Sequence, residues 1–329
     1  MNPIKAQYDQ RGSAPHKLIK AVPFDKPDPG TGEILVELLA APINPSDLLT
    51  LTGDYGVLPD LPAIGGNEGV GKVTQLGAEV SGLEVGQTVL LPIGCGTWRS
   101  HLLLPARDLI PLPGRADPLQ LAMLTINPPT AALLLSEVVD LKPGDWVIQN
   151  AANSAVGGYL VQLAGERGLK TVNIVRRESA VAAVKQQGAE QVLVDGPDIA
   201  ERVAEATGKA KIRLAIDAVG GAATDRLAAC LAAGGTVVNY GMMSGESCQL
   251  SPAHLIFRGI KLTGFWLASW FDQSSTADQQ RLYGDLIEKI AAGKLSAPVA
   301  ATYPLSEVKE ALRAASRGER DGKILLTPE

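Results

Sequence analysis

The sequence predicts an α/β fold, in which a doubly wound parallel sheet accompanies a smaller β-rich domain. Two observations support this prediction. From about residue 119 to residue 293, short apolar runs alternate with helical stretches, as a doubly wound parallel sheet requires. Before that region, glycine and proline separate short runs of valine and leucine, which indicates a compact β domain.

The β-rich domain has three candidate strands, each bounded by turn residues: Ile34–Ala40, Gly69–Leu76 and Thr88–Leu91. Near the end of the chain, residues 304–315 predict an amphipathic helix opened by Ser306, and Lys323–Thr327 predicts a last strand. We expect this tail to return to the first domain. The predicted domains are therefore residues 1–118 with 299–329, and residues 119–298, with a ligand expected in the cleft between them.

The segment Val147–Gly158 predicts a strand, a tight turn of small residues and a helix, as in a dinucleotide-binding (Rossmann) fold. In that fold the pyrophosphate of the cofactor lies at the helix N-terminus. The three glycine positions of the usual motif are occupied by Ala152, Ser154 and Gly157. Only the third glycine, which permits close packing of helix and strand, is present.

The next predicted strand, Thr171–Val175, ends at Arg176 and Arg177. An acidic residue at this position would bind the ribose hydroxyls of NAD, whereas guanidinium groups suit the extra phosphate of NADPH. The pattern therefore predicts NADPH, although either arginine could also be a solvated surface charge. Three further segments are predicted as buried strands of the same sheet: Leu214–Gly221, Gly234–Gly241 and Ile260–Trp266.

Composition and charge argue against several other classes of protein. The net charge is −5 and there are no basic runs, which argues against nucleic acid as a partner. No apolar run has the length of a membrane span, so no membrane association is expected. The three scattered cysteines predict neither a disulfide framework nor a structural zinc lobe. The N-terminus has no signal or transit pattern, which predicts a cytoplasmic location.

With these elements in place, the chain resembles the medium-chain dehydrogenase/reductase superfamily, which joins a GroES-like catalytic domain to the dinucleotide domain. In the zinc-dependent members, cysteine and histidine side chains bind a catalytic metal. The matching positions here are Asn44 and Asn67. Because an amide oxygen is a poor zinc ligand, the resemblance implies a zinc-free reductase with no metal site.

Within the zinc-free branch, the chain is similar to the mitochondrial-type trans-2-enoyl-thioester reductases. Six segments carry this resemblance: Asn44–Asp47, Gly53–Gly56, Leu61–Gly69, Gly96–Trp98, Asn150–Gly157 and Gly264–Leu267. The resemblance implies NADPH-dependent reduction of an enoyl-CoA or an enoyl acyl carrier protein in fatty-acid synthesis. It also implies a homodimer formed through the edge strand of the dinucleotide domain.

Carried over position by position, the resemblance implies that Tyr55 is the proton donor. The cofactor contacts that it implies are Asn127, Asn153, Ser154, Ala155, Val156, Arg176, Arg177, Glu178, Tyr240, Gly241, Met242, Met243, Phe265, Trp266, Leu267 and Lys323. A phenol keeps its proton at neutral pH, so Tyr55 could bind the enolate oxygen or protonate carbon. The competing interpretation is a tyrosine ring packed under a turn.

Two other functions agree with the same cofactor site. A zinc-free quinone reductase needs NADPH but no proton donor directed at a thioester. A non-catalytic protein of this branch would bind NADPH without reducing any acceptor. The Gly53–Gly56 and Gly264–Leu267 segments favour enoyl reduction.

Overall fold

The computed structural model describes residues 2–318 and 320–328. Met1, Glu319 and Glu329, which the predicted first domain includes, lie outside the described residues. The chain forms two compact units: the first runs to Ile126 and resumes at Asp285, and the second is Asn127–Gly284. Within the described ranges, no helix combines the length and the apolar composition needed to span a membrane.

The helices and strands follow one another in three parts of the chain. The elements up to Ile126 are β1 Ile4–Tyr8, α1 Pro15–Leu18, β2 Ile19–Pro23, β3 Glu33–Pro42, α2 Pro45–Thr52, β4 Ala63–Ile64, β5 Val70–Leu76, β6 Thr88–Leu90, β7 His101–Pro105, β8 Ile110–Pro111 and α3 Pro118–Leu121. The central elements are α4 Asn127–Ser136, β9 Trp146–Gln149, α5 Ala155–Glu166, β10 Lys170–Val175, α6 Val181–Gln186, β11 Gln191–Val194, α7 Ile199–Ala206, β12 Leu214–Asp217, α8 Ala222–Cys230, β13 Thr236–Asn239, α9 Pro252–Arg258, β14 Lys261–Gly264, α10 Leu267–Gln273 and α11 Thr276–Ala291. The last elements are β15 Val299–Pro304, α12 Val308–Ser316 and β16 Lys323–Thr327.

The second unit is built on a six-stranded sheet in the order β11-β10-β9-β12-β13-β14. Every neighbouring pair in it is parallel. Its central strands are mostly apolar and largely buried, with Ile148, Ala215 and Val237 among the core residues. Parallel strands that are covered by helices on both faces typically have such apolar sequences. The predicted doubly wound sheet is confirmed, and it places the carboxyl ends of its strands along one edge.

The prediction that residues 260–266 form a buried strand was wrong about its burial. The strand is present as β14, but all four of its residues are exposed. It is the last strand in the sheet order and, within the part of the chain that the structure describes, pairs with β13 alone. The apolar character of a short segment does not reveal whether its strand is central or at an edge, because that depends on pairing with distant strands.

The first unit contains a seven-stranded sheet in the order β15-β16-β3-β5-β6-β8, with β7 also paired to β3, and a separate three-stranded sheet, β2-β1-β4. Strand β16 is antiparallel to β3, with Leu326 opposite Ala41, and parallel to β15. The end of the chain therefore belongs to the sheet of the first unit.

The first unit extends beyond the predicted boundaries at residues 118 and 298. The side chain of Gln120 on α3 donates a hydrogen bond to the Ala297 carbonyl at 3.0 Å and accepts one from the Ala297 amide at 2.9 Å. These paired bonds join two segments that composition assigned to the second domain. The second boundary falls inside α11, at Asp285.

The predicted helix at residues 304–315 begins later than expected. A 3₁₀ turn covers Leu305–Glu307, and α12 starts at Val308. Ladder pairing of β15 with β16 continues to Pro304, so the chain must turn before the helix can start. Ser306 therefore lies in the turn rather than at the helix cap, and α12 has no side-chain cap.

Candidate functional site

A buried polar cluster lies where the central strands of the second unit end. Asp217, the last residue of β12, is fully buried. Its carboxylate accepts hydrogen bonds from Asn150 Nδ2 at 2.6 Å, Thr224 Oγ1 at 2.7 Å and Asn239 Nδ2 at 3.2 Å. It also accepts from the amide of Val219 at 2.9 Å. With these donors, the buried charge is well compensated, and the loops after β9, β12 and β13 are held in one arrangement.

The turn after β9 has the features expected of a cofactor-binding turn. Ser154 caps α5 and accepts a hydrogen bond from the Gly157 amide at 3.1 Å. A Cβ atom at Gly157 would lie 2.5 Å from the Ala152 carbonyl oxygen, so only glycine allows this approach of helix and strand. The prediction about the third glycine position is therefore explained by geometry.

Tyr240, which follows β13, meets this turn. Its side chain is hydrogen-bonded to that of Ser154, and burial raises the pKa of Tyr240. Its amide donates to the Asp217 carbonyl at 2.9 Å. The structure thus brings together Ser154 and Tyr240, two residues implied as cofactor contacts. Tyr240 is also bonded to the backbone of Asp217.

The other cofactor residues implied by the resemblance also follow strand ends of the second unit. Arg176 is exposed and Arg177 half-buried directly after β10, and the exposed Glu178 begins a 3₁₀ turn. These residues accompany the end of β10, as the sequence predicted. Their side chains are thus accessible to a ligand at this edge of the sheet.

Two further loops of this edge present apolar side chains. Gly241, Met242 and Met243 follow Tyr240, and both methionine side chains are exposed. Phe265 donates its amide to the Asn239 carbonyl at 2.8 Å, Trp266 is 42% exposed and Leu267 is buried at the start of α10.

The remaining predicted cofactor residues of this unit are Asn127, Asn153, Ala155 and Val156. Asn127 is buried at the first position of α4. Asn153 is exposed in the turn, while Ala155 and Val156 form the start of α5. Backbone amides in the first turn of a helix have no partner within the helix, which makes this terminus suitable for phosphate.

In the first unit, Tyr55 lies in the loop that follows α2. The helix ends at Gly53, which has a left-handed φ of 97°, and the Tyr55 side chain is half-exposed two residues later. At the other end of α2, the backbone amide of Asn44 donates to Asp47 Oδ2 at 2.7 Å, which closes a capping box. The helix that carries the Tyr55 loop is therefore fixed at its beginning.

A buried charged cluster surrounds that capping box. Asn44 Nδ2 donates to Glu68 Oε1 at 2.6 Å, and Lys323 Nζ donates to Asn44 Oδ1. Asp47 Oδ1 accepts from the Asn67 amide at 2.9 Å. Asn44, Asp47, Glu68 and Lys323 are all buried. The cluster joins β16, α2 and the Gly65–Gly69 segment, which are far apart in the sequence.

Burial disfavours the charged form of every ionisable group in this cluster. It raises the pKa of Asp47 to about 6 and the pKa of Glu68 to about 7. It lowers the pKa of Lys323 to about 8. The opposite charges of Lys323 and the two carboxylates reduce each of these shifts. The three groups stabilise one another only as a set, so loss of one member leaves a buried charge without compensation.

The donors in this cluster do not fit a zinc ion. The side-chain amide of Asn44 is already bonded to the Glu68 carboxylate through its nitrogen and to the Lys323 ammonium through its oxygen. Zinc sites use thiolate, imidazole and carboxylate ligands, and a lysine ammonium in contact with the ligand position would repel a divalent cation. Across residues 2–318 and 320–328, no group of three or more histidine, cysteine or acidic side chains has the arrangement of a metal site.

Lys323 therefore has an environment that the sequence analysis did not foresee. Its ammonium bonds to Asn44 within the first unit, and the side chain is 5% exposed. Its role as a cofactor contact stays a prediction. The residues that sequence reasoning missed are Asp217, Asn150, Asn239 and Asp47, whereas Glu68 is the buried charge partner that the sequence suggested. A polar residue at the end of each apolar strand was the available signal for the first three.

We expect the stability of Glu68→Gln to depend on pH less than that of the wild-type protein. Between pH 5 and 7, the folded protein holds a proton on Glu68 that the unfolded chain releases, because burial raises the folded pKa to about 7 from an unfolded value of about 4.3. The wild-type free energy of unfolding should therefore fall as the pH rises, by up to about 1.4 kcal/mol per pH unit from this group.

Urea unfolding of both proteins at pH 5, 6 and 7 measures this difference. Glu84→Gln, which alters an exposed carboxyl in the same unit, is the matched control and should follow the wild-type profile. Parallel pH profiles for wild type and Glu68→Gln would contradict the proposed proton uptake at Glu68.

The two units match separate families of known domains. Residues 30–114 match the alcohol dehydrogenase GroES-like domain, and residues 155–282 match the zinc-binding dehydrogenase family. The first match falls in the first unit and the second match in the second unit. Both agree with the resemblance seen in the sequence.

Similar proteins cover nearly the whole chain. The human mitochondrial enoyl-acyl-carrier-protein reductase is 38% identical over 304 residues, which is 90% of this chain and 81% of that protein. The protein of the same name from Rattus norvegicus is 39% identical, with 97% of this chain and 87% of that protein covered.

Solved structures with the same fold include enzymes of two kinds. The complex of Etr1p with NADP and crotonyl-CoA has a TM-score of 0.87 at 27% identity and covers 99% of this chain and 100% of that one. The Etr1p/Etr2p heterodimer, a mitochondrial 2-enoyl thioester reductase from Candida tropicalis, has a TM-score of 0.85 at 27% identity, with the same coverage. A Bacillus thuringiensis protein named as an NADPH:quinone reductase has a TM-score of 0.89 at 30% identity and covers 99% of each chain.

Proposed function

This chain belongs to the family of enoyl-acyl-carrier-protein reductases, and on that premise we propose that it reduces the 2,3 double bond of a trans-2-enoyl thioester with NADPH. The observation that carries this proposal is the match, over almost the entire chain, to a complex that holds NADP and crotonyl-CoA. The human and rat relatives bear the name of an enoyl-acyl-carrier-protein reductase.

The second unit offers the groups that NADPH needs. The first turn of α5, capped by Ser154, supplies amide donors for the pyrophosphate. Arg176 and Arg177 supply guanidinium groups for the additional phosphate. When bound, the cofactor supplies a hydride. Trp266 after β14 and the methionines Met242 and Met243 after β13 provide exposed apolar surface, which suits a site from which water is excluded.

The first unit supplies the proton-donating group. Hydride addition at the β-carbon places negative charge on the thioester oxygen, as an enolate, and a proton must then reach the α-carbon. The Tyr55 hydroxyl can donate a hydrogen bond to that oxygen or supply the proton. The Lys323–Asn44–Glu68 cluster holds the start of α2, the helix that precedes Tyr55.

A quinone reductase is the second candidate, because the Bacillus thuringiensis structure is as similar in fold as the enoyl reductases. That reaction uses the same coenzyme site but does not require Tyr55. A cofactor-binding protein without catalytic activity is the third alternative. The assay below separates the three.

NADPH oxidation should be followed with crotonyl-CoA, with longer 2-enoyl-CoAs and with a quinone in parallel. We expect turnover with the enoyl thioesters and a much lower kcat/KM with the quinone. A quinone as the preferred acceptor would support the second candidate, and coenzyme binding without any turnover would support the third. Comparison of crotonyl-CoA with crotonyl acyl carrier protein tests which carrier is preferred. A cytoplasmic location stays a prediction, since the relatives are named mitochondrial.

We also propose that the protein is a homodimer formed by two copies of β14. Among the strands that the structure describes, this one pairs with β13 alone, and it is exposed along its length, so its outer backbone groups can continue the ladder with a second copy. The neighbouring helix α9 presents Leu255, Ile256 and Phe257, of which the last two are 71% and 82% exposed. Adjacent apolar side chains beside an open strand edge are typical of a subunit interface.

Replacing Phe257 with aspartate should therefore convert the dimer to a monomer, because it places a charge in the apolar part of the proposed interface. Light scattering coupled to size-exclusion chromatography measures the mass of each variant. Val85→Asp introduces the same charge at a 63% exposed apolar residue of the first unit and should leave the dimer intact. A monomeric wild type, or a Phe257→Asp variant that remains dimeric, would refute this interface.

A further inference from the structure

An acidic residue lies beside the arginine pair of the second unit. Strand β11 is the parallel neighbour of β10, with Val194 opposite Val175. The next residue, Asp195, donates its amide to the Val175 carbonyl at 2.8 Å. Neighbouring strands are about 4.8 Å apart, so the Asp195 backbone lies one strand away from the point where Arg176 leaves β10. The backbone of an acidic residue therefore lies next to the start of the arginine pair that is expected to bind a phosphate.

This carboxylate is held in a two-point ion pair by Arg226 of α8. Arg226 Nε donates to Asp195 Oδ1 at 2.8 Å, and Arg226 Nη2 donates to Asp195 Oδ2 at 2.5 Å. Both side chains are partly buried, at 33% and 25% exposed. The Gly196 amide also donates to Oδ1, at 2.9 Å. A paired fork geometry fixes both charges in place and neutralises the carboxylate locally.

The position of this pair matters for the coenzyme. In dinucleotide folds an acidic group near the end of the second strand favours unphosphorylated ribose hydroxyls. A phosphate monoester carries close to two negative charges, so a free carboxylate nearby would repel it. NADH has no phosphate at this position and would not be repelled in this way. Neutralisation of Asp195 thus affects the two coenzymes differently.

We propose that Arg226 determines coenzyme specificity by neutralising Asp195, so that the extra phosphate of NADPH can bind beside Arg176 and Arg177. This inference rests on the proposed use of NADPH. Arg226 acts here without contacting the phosphate. It removes a repulsive charge, whereas the arginine pair supplies the attractive ones, and specificity generally needs both.

A purely structural role is the competing explanation, because the same ion pair joins β11 to α8. The two explanations differ in what they predict for NADH. Loss of a structural ion pair would weaken the binding of both coenzymes alike, and replacing Asp195 as well would not restore it. Loss of charge neutralisation would weaken NADPH alone, and removing the carboxylate as well would restore it.

The test uses Arg226→Met, Asp195→Asn and the double variant, with Kd values for NADPH and NADH measured by calorimetry on the full-length protein. We expect Arg226→Met to bind NADPH about fivefold more weakly, the size of the repulsion between nearby like charges in a water-like dielectric. NADH binding should change less than about twofold. Asp195→Asn should bind NADPH at least as tightly as wild type, and the double variant should regain wild-type affinity. The loss should shrink at high salt.

Arg213→Met is the matched control. Arg213 forms a similar ion pair with Asp145, at 2.7 Å, but these residues precede β12 and β9 at the opposite edge of the same sheet. Its NADPH and NADH affinities should both stay at wild-type values. Equal weakening of both coenzymes in Arg226→Met, or no recovery in the double variant, would overturn the inference. Wild-type protein that discriminates the coenzymes as expected but reduces no enoyl thioester would overturn the proposed reaction alone.

Discussion

Replacement of Tyr55 with phenylalanine is expected to lower the turnover number for an enoyl-CoA by about 10²–10³-fold, the usual effect of removing one donor to a developing oxyanion. The substitution removes only the hydroxyl. The variant retains Gly53 at the end of α2 and the capping box at its start. The loss should therefore fall on kcat, with little change in KM or in NADPH affinity.

Steady-state kinetics with crotonyl-CoA and a separate NADPH titration test this prediction. Tyr303→Phe, at a half-buried tyrosine of β15 in the same unit, is the matched control and should keep wild-type turnover. Turnover of Tyr55→Phe within a few-fold of wild type would exclude Tyr55 as the donor. A rise in KM or a lower melting temperature, with kcat unchanged, would instead indicate the packing role that is the alternative for this ring.

Replacement of both Arg176 and Arg177 with alanine is expected to weaken NADPH binding by about 10²-fold and to leave NADH binding nearly unchanged. A hydrogen bond to a charged group contributes about 1.5–3 kcal/mol, and about 1.4 kcal/mol corresponds to tenfold in affinity. Arg176 is exposed, so solvent screening reduces its share, and we expect about 1.5 kcal/mol from each arginine, which is about 3 kcal/mol for the pair.

The ratio of NADPH to NADH affinity is the measurement that matters here. Lys185→Ala removes a positive charge from the exposed surface of α6 in the same unit, so it controls for the change in overall charge. That variant should keep the wild-type ratio. An unchanged ratio in the double alanine variant would show that the two arginines are ordinary surface charges, which is the alternative left open by the sequence.

The central sheet and its cofactor turn were predictable because their signals are local. The apolar strand at Val147, the capped helix after Ser154 and the arginine pair after Val175 are each contained within about a dozen consecutive residues. In two of the recognised motifs, Leu61–Gly69 and Gly96–Trp98, a glycine packs against a tryptophan. The Trp98 ring is fully buried, and a Cβ atom at Gly65 would lie 2.3 Å from it. A glycine is needed at position 65 because a larger side chain would collide with the tryptophan ring.

Features that depend on distant partners were not predictable. Lys323 and Asn44 are 279 residues apart in the sequence, and their hydrogen bond exists because β16 pairs with β3. The exposure of β14 follows from its position at the end of the strand order, which apolar composition does not encode. Residues close together in the sequence thus predict the doubly wound sheet and its cofactor turn. They also predict that suitable zinc ligands are absent. The buried charged cluster, the pairing of Arg226 with Asp195 and the open edge arise only when strands assemble, because contact between remote side chains is a property of topology.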